Sequence, residues 1–310
     1  MRCLVTGGAG FIGSHIQDKL IELGHHAIIL DNLRSGKKEY VNPKSEFHNI
    51  DIRSKDEITS LFNKTKPDVV FHLAAQNEVP YSMDHPFEDA EINILGMLNI
   101  LEAGKTIGVK KFIYSNTGGA YYGDVQESDL PISEDFPVTY PTSFYGVSKA
   151  AAEQYLKLYS HIYGLSYVSL RYSNVYGPRQ DGNREAGIVA IFTTKMINGK
   201  VPVIFGDGLH TRDYIYVGDV VDANVAALNY PNSDYFNIAT GKATSNNEVY
   251  NTLESYLKTG KKVVYGHDRP GDARHVTLSP KKAIKLLHWS PKINFMQGVR
   301  LTLESYGKKF

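Results

Sequence analysis

The chain has 310 residues, 42% of them hydrophobic and 22% charged, which is enough apolar sequence for a full core and too much for a disordered polymer. Lys plus Arg total 34 against 33 for Asp plus Glu, and the resulting net charge of +1 offers no electrostatic footprint for nucleic acid or an anionic membrane. A single cysteine, Cys3, excludes an internal disulfide framework and any multi-cysteine metal cluster. No metal site is expected, and with no apolar run long enough to span a bilayer and no basic-then-apolar leader, a cytoplasmic protein is.

In chain order the first half alternates short β-rich runs with helical patterns. Strands are predicted for RCLVT at 2–6, AIILD at 27–31, DVVFH at 68–72, KFIYS at 111–115 and YVSLR at 167–171, with helices over 11–23, 54–64, 88–107 and 143–162 between them. The strands are largely apolar and not alternating, so both faces are covered. A βαβα order predicts an α/β fold with a doubly wound parallel sheet, a Rossmann fold. After 175 the rhythm changes: GPRQDGNREAG at 177–187 is polar and Gly-rich, VPVIFGDG at 201–208 runs into a turn, and helical patterns follow near 245–257 and 295–308. The expected division is a dinucleotide-binding domain over 1–174 and a smaller C-terminal α/β lobe over 175–212 and 241–310. The stretch 213–240, with strand-like DYIYV and FNIAT around a helical DVVDANVAALNY, is expected to return to the first domain.

TGGAGFIG at 6–13 leaves the first strand and opens a helix, with Gly7, Gly10 and Gly13 in G-x-x-G-x-x-G spacing. Such glycines serve a tight turn, a close backbone approach to a pyrophosphate and helix-on-strand packing, and the helix N-terminus favours the phosphates. Asp31 closes the second strand eighteen residues beyond Gly13, where a carboxylate accepts both ribose hydroxyls and repels a 2′-phosphate. NAD is therefore favoured over NADP; Arg34, three residues on, could in principle serve a 2′-phosphate, although a loop arginine is more often solvated.

Tyr145 and Lys149 lie four apart in SFYGVSKAAAEQYLKLY, on one helical face. An ammonium beside a phenol favours the phenolate, which is how a tyrosine serves as a base near neutral pH. Spacing by itself is weak among 21 tyrosines: Tyr40 and Lys44 share it, although Pro43 argues against a helix there. KFIYSNTGGAYYG at 111–123 places hydroxyl and glycine residues at a strand's carboxyl end, where doubly wound sheets bind ligands.

These motifs, with FHLAA at 71–75, YGVSK at 145–149, LRYSNVYGPR at 170–179 and FGDGLHTRDYIYVGDV at 205–220, resemble the extended short-chain dehydrogenase/reductases. Within them the likeness is to the NAD-dependent epimerase/dehydratases, above all the UDP-glucose 4-epimerases, and it runs to LLHWSPK at 286–292. The resemblance implies NAD as cofactor, a UDP-sugar as substrate and a homodimer. It implies cofactor contacts from Gly7, Gly10, Phe11, Ile12, Gly13, Asp31, Asn32, Ser35 and Gly36, from Asp51 and Ile52 on the adenine side, and from Leu73, Ala74 and Ala75 as a wall. Gln76, Asn93, Tyr145, Lys149 and Ser173, the last near the nicotinamide, complete that set. On the substrate side it implies Thr117, Asn174, Val189, Val203, Phe205, Arg212, Arg269, Asp272 and Val276. Asn174, Arg212 and Arg269 fall to the diphosphate, whose oxygens suit forked arginine donors. Thr117 matches the hydroxyl partner of the tyrosine, with Ser115 as the alternative.

The implied reaction is epimerisation at C4: Tyr145 exchanges a proton with the sugar hydroxyl, partly through Thr117, while Lys149 orients the ribose and keeps the tyrosine's pKa down. Dehydratases of this group place Asp then Glu after the threonine and decarboxylases a carboxylate in the same stretch; here Gly118 and Gly119 follow Thr117, which disfavours both reactions. A cofactor-binding protein without chemistry usually loses the tyrosine or lysine, and both are present. Three departures bear on the sugar. Asn116 replaces a small hydroxyl residue, Asn77 and Glu78 make a polar loop, and Val276 stands where a tyrosine narrows the pocket of enzymes restricted to plain hexoses. Val276 either leaves room for an N-acetyl group or simply packs, and the asparagines raise a uronic acid as a further option.

Overall fold

The computed structural model describes all residues except 124, 139–140, 184–186, 268–272 and 310. In chain order the elements are β1 (Arg2–Thr6), α1 (Phe11–Glu22), β2 (His26–Leu30), β3 (Glu46–His48), α2 (Lys55–Thr65), β4 (Val69–His72), α3 (Val79–Asp84), α4 (Pro86–Ala90), α5 (Met97–Ile107), β5 (Lys111–Thr117), α6 (Phe144–Tyr163) and β6 (Ser166–Tyr172). They continue with β7 (Asn174–Tyr176), α7 (Ile188–Ile197), β8 (Val203–Phe205), β9 (Thr211–Tyr216), α8 (Val217–Asn229), β10 (Asp234–Ile238), β11 (Ala243–Ser245), α9 (Asn246–Leu257), β12 (Val264–Gly266), β13 (His275–Val276), α10 (Lys281–Leu286) and α11 (Phe295–Ser305).

A seven-stranded sheet runs in the order β10-β6-β5-β4-β1-β2-β3. The pairs β1–β2, β1–β4, β2–β3 and β4–β5 are parallel, and β4 is buried at every position, as a strand covered by helices on both faces must be. This is the doubly wound α/β architecture that the alternating pattern predicts. Strand order reverses between β1 and β4, which puts the ligand-binding edge of such a sheet at Thr6 and His72.

The chain divides into two compact units, Met1–Gly123 with Val138–Arg171 and Val221–Phe236, and Asp124–Pro137 with Tyr172–Val220 and Asn237–Phe310. In the first, Leu4, Ile28, Phe62, Val70, Ile100, Phe112 and Leu156 form the centre of a buried core. In the second, β7 and β13 flank β9 in parallel while β11 pairs with it antiparallel, and Tyr176, Phe192, Ile204, Tyr214, Leu253 and Leu303 are packed together.

The expected helix over 88–107 is interrupted. Pro86 opens α4, residues Glu91–Gly96 form a π-helical turn, and α5 follows. Gly96 faces Ile52 so closely that a Cβ there would lie 2.7 Å from the isoleucine side chain. Hydrophobic periodicity does not distinguish such a turn from continuous α-helix, and β3 and β7, three residues each, are too short to show a period.

Candidate functional site

In the first unit the Gly-rich turn is shaped by what surrounds it. Gly7 has φ +68 and its N–H donates to the Leu30 carbonyl at 2.8 Å, and a Cβ on it would meet the Ala74 nitrogen at 2.8 Å. A Cβ on Gly13 would lie 2.3 Å from the Gly7 oxygen, so both positions require glycine. Gly10 is the N-cap of α1 and no side chain caps the first turn, which leaves the N–H groups of Phe11, Ile12 and Gly13 directed at whatever lies before the helix. A cradle that a methyl group would fill, ahead of an uncapped helix N-terminus, fits a dinucleotide pyrophosphate.

Asp31 is buried at the end of β2, where its Oδ2 accepts from the Ala9 N–H at 3.0 Å and its Oδ1 from Leu33 at 2.8 Å. Burial pushes its carboxyl up, against the pull of these two amides. Gly36 packs onto the same carboxylate, with room for no Cβ: one would sit 2.7 Å from Oδ1. Arg34 is not available for a 2′-phosphate, because its guanidinium pairs with Glu88 and lies 5.3 Å from the centre of the Tyr81 ring. Asn32 and Ser35 are exposed in the loop beside it, and the Asn32 amide donates to Asp51 at 2.9 Å. Bonds from Arg53 hold the Asp51 carboxyl at about 2, while Ile52 is buried against the π turn. Across the switch point, Thr6 Oγ1 accepts from the N–H groups of Leu73 and Ala74 at 3.2 and 3.1 Å and so sets the wall that Ala75 continues.

The catalytic candidates converge at the carboxyl end of β5. Ser143 caps α6 by accepting from the Gly146 N–H at 3.1 Å, and a Cβ on Gly146 would be 2.3 Å from the Ala120 oxygen. That close approach brings Tyr145 to Thr117, whose hydroxyl hydrogen-bonds the phenol. Ser115 instead offers its carbonyl to Lys149 Nζ at 2.6 Å. Burial pushes the Tyr145 phenol up and the Thr117 bond pulls it down, with Asp89 reinforcing burial. Lys149 lies one helical turn further along α6. Its ammonium is drawn to Ser115 and to the face of Tyr114, 4.3 Å away, and burial pushes its own pKa down to about 7.

Gln76 and Asn93 meet each other. The Gln76 N–H donates to Asn93 Oδ1, and the Asn93 amide returns a bond to the Gln76 carbonyl, both at 2.9 Å. No motif marks Asp89, the buried carboxylate that both side chains share, although its position four residues before Asn93 on a helical stretch is a readable signal.

In the second unit, Asn174 stands in register with Tyr214, and Val276 in register with Arg212, on strands that flank β9. Arg212 donates to the carbonyls of Thr211 and Arg274, at 2.9 and 3.5 Å. Ser173 donates toward Asp213 at 3.4 Å, Val203 is half-buried and Phe205 is exposed. Val189 lies in the apolar core of this unit with Phe192, an ordinary packing position. Arg269 and Asp272 lie outside the described residues.

The profile of the NAD dependent epimerase/dehydratase family matches residues 3–239. The chain belongs to that family. Among solved structures, this epimerase-family chain is 46% identical to the UDP-glucose 4-epimerase of Thermotoga maritima, crystallised with UDP-glucose, with a TM-score of 0.97 and 99% of each chain covered. It is 42% identical to the UDP-glucose 4-epimerase of Thermus thermophilus in complex with NAD, at a TM-score of 0.93 with both chains covered completely. It is 35% identical to the UDP-N-acetylglucosamine 4-epimerase of Methanobrevibacter ruminantium, solved with UDP-N-acetylmuramic acid, at a TM-score of 0.92 over 98% of this chain and 97% of that one. As a member of this NAD-dependent family the chain has NAD as its cofactor.

One expectation about this family member is overturned by strand alternation. Asn116 precedes Thr117 on β5 and so points to the other face of the sheet. There it is buried, its amide donating to Glu153 at 2.9 Å and its oxygen accepting from the Thr117 N–H at 2.9 Å, so it presents nothing to a sugar. Asn77 is exposed, and the Glu78 backbone is tied to the Gln76 side chain.

Proposed function

We propose that this protein is an NAD-dependent UDP-sugar 4-epimerase of the UDP-glucose/UDP-galactose type. The observation that carries this reading is the meeting of Tyr145 with Thr117 above a β5 terminus that continues as Gly118 and Gly119. The pair can move a proton, and neither glycine can supply the acid that elimination requires. Gly7, Gly10, Phe11, Ile12, Gly13, Asp31, Gly36, Asp51, Ile52, Leu73, Ala74, Ala75, Gln76 and Asn93 are the residues that would hold NAD. When bound it supplies a hydride acceptor at the sugar carbon that gives the same hydride back. Tyr145 takes the proton of the sugar 4-hydroxyl, with the Thr117 hydroxyl as relay. Once the 4-keto sugar has presented its opposite face, Tyr145 returns that proton to the oxygen. Lys149 holds the ribose side of the site, and Asn174, Arg212 and Arg269 hold the diphosphate, whose charge the two arginines offset.

Two finer readings belong with this one. A homodimer is supported by α6, whose buried face carries Lys149, Ala152, Glu153 and Leu156 while Phe144, Val147, Tyr155, Leu158 and Ile162 form a second, exposed apolar stripe. A cytoplasmic setting is supported by the single buried cysteine, and no helix among the described residues is long and apolar enough to cross a membrane.

The test is incubation of the purified protein with UDP-galactose, UDP-N-acetylglucosamine and UDP-glucuronate, each read by chromatography for its 4-epimer. Conversion of UDP-galactose to UDP-glucose with no net NADH is expected, and failure on all three overturns the reading. Val276, half of a row with Arg212, is the position to vary: Val276→Tyr should abolish any turnover of the acetylated sugar and spare the plain hexose. An unchanged preference order would show that this side chain does not gate the sugar.

A further inference from the structure

A buried ammonium needs a negative charge within reach. Among the described residues the direct partners of Lys149 are neutral: the Ser115 carbonyl at 2.6 Å and the ring of Tyr114 at 4.3 Å. Asp89, on α4, poses the mirror problem. It is fully buried, and its partners are also neutral. The Ser148 hydroxyl donates to Oδ2 at 2.6 Å, and the side-chain amides of Gln76 and Asn93 donate to Oδ1 at 3.1 and 3.0 Å. Ser148 immediately precedes Lys149, so this carboxylate is fastened to the helical turn that carries the ammonium.

We propose that Asp89 is a positioning residue for the catalytic pair: its carboxylate is the countercharge that keeps Lys149 protonated, and its bonds to Gln76 and Asn93 lock the loop after β4 and the π turn against α6. The other titratable groups around Lys149 do not supply that charge. Tyr114 on β5 and Tyr145 on α6 are held neutral by burial, and burial pushes His72 on β4 down to about 3. Glu153, one turn along α6, is matched by Arg171 at 2.6 Å and Lys157 at 3.2 Å. Asp89 and Lys149 act on one another in the expected sense, the carboxylate raising the lysine's pKa and the ammonium lowering that of the carboxyl. The same carboxylate opposes ionisation of Tyr145, so one charge ties the two groups together.

Asp89→Asn isolates the charge, because Ser148 can turn its hydroxyl from donor to acceptor and keep the contact. With lysines labelled at the ε-carbon, the NMR signal that vanishes in Lys149→Met reports Lys149 directly, without substrate. In Asp89→Asn its titration midpoint should fall by about one unit or more, whereas Ser148→Ala, which leaves the charge, should hold the wild-type value. An unmoved midpoint in Asp89→Asn overturns the proposal. Should that variant not fold, the reciprocal measurement decides: the Asp89 carboxyl must titrate higher in Lys149→Met than in wild type, and an equal value overturns it. The rate measurement rests on the epimerase reading: both limbs of the kcat/KM profile should move to lower pH in Asp89→Asn, since the lost carboxylate had raised both pKa values. A drop in rate with both limbs in place reduces Asp89 to a structural residue. Absence of turnover in wild type, with the NMR shift intact, counts against the epimerase and leaves the countercharge standing.

Discussion

A phenol is almost wholly protonated at neutral pH, and burial makes that of Tyr145 harder still to ionise. What the protein supplies against this is the Thr117 hydroxyl, and what it sets beside it is a lysine whose pKa has dropped to about 7. Tyr145→Phe keeps the ring and removes the proton, so kcat should fall by ~10² to 10⁴-fold, the usual worth of a general base, with the NAD content of the purified protein unchanged. Rates close to wild type would take Tyr145 out of the chemistry. At this scale sequence patterns were informative wherever backbone geometry dictates the residue: Gly7 and Gly13 are glycine because nothing larger fits. They misled at Asn116, whose neighbour in the chain faces the site while it faces Glu153. They left open whether Arg34 could meet a 2′-phosphate, which its pairing with Glu88 decides.

The element that organises the site is α6. Gly146 lets its first turn touch the Ala120 carbonyl, which places Tyr145, while Lys149 and Glu153 follow at four-residue intervals along the buried face. Its exposed stripe of Val147, Leu158 and Ile162 is more than a free helix leaves in water without reason. Leu158→Glu combined with Ile162→Glu should turn a dimer into a monomer by light scattering, with the helical signal retained in circular dichroism. An unchanged mass would place the subunit contact elsewhere or remove it. In sequence the two stripes of α6 overlap into one broad apolar pattern, because periodicity records which residues are apolar and not what covers them. The break at Glu91–Gly96 was illegible for a related reason: a π turn keeps its apolar residues in helical order while shifting Asn93 onto Gln76.

Across the first unit, stability and the site share one buried network. Arg171 and Glu153, 2% and 0% exposed, bond each other and also Tyr121, Tyr122, Ser169 and Asn116, the residue that accepts the Thr117 N–H. Arg171→Met strands a buried carboxylate and should cost about 3–5 kcal/mol, read from the midpoint of denaturant unfolding. A loss below 1 kcal/mol would mean that water or Lys157 replaces the guanidinium. Burial pushes the Glu153 carboxyl up, but Arg171 outweighs it and holds the group at about 2, below its ordinary 4.5. Its stabilising contribution is therefore complete above 4.5 and lost as pH falls toward 2. By itself the sequence determined the βαβα order, the Gly-rich turn with Asp31 and the Tyr145 to Lys149 spacing, because each is a local pattern written in consecutive or helically spaced residues. Only the tertiary structure decided that the Thr117 hydroxyl meets the Tyr145 phenol while the Ser115 carbonyl takes Lys149, that Asn116 belongs to the core, and that Asp89 is fastened to Ser148 on α6. Those contacts join residues distant in the chain, and their partners are set by strand alternation and by the close packing of α6 on β5.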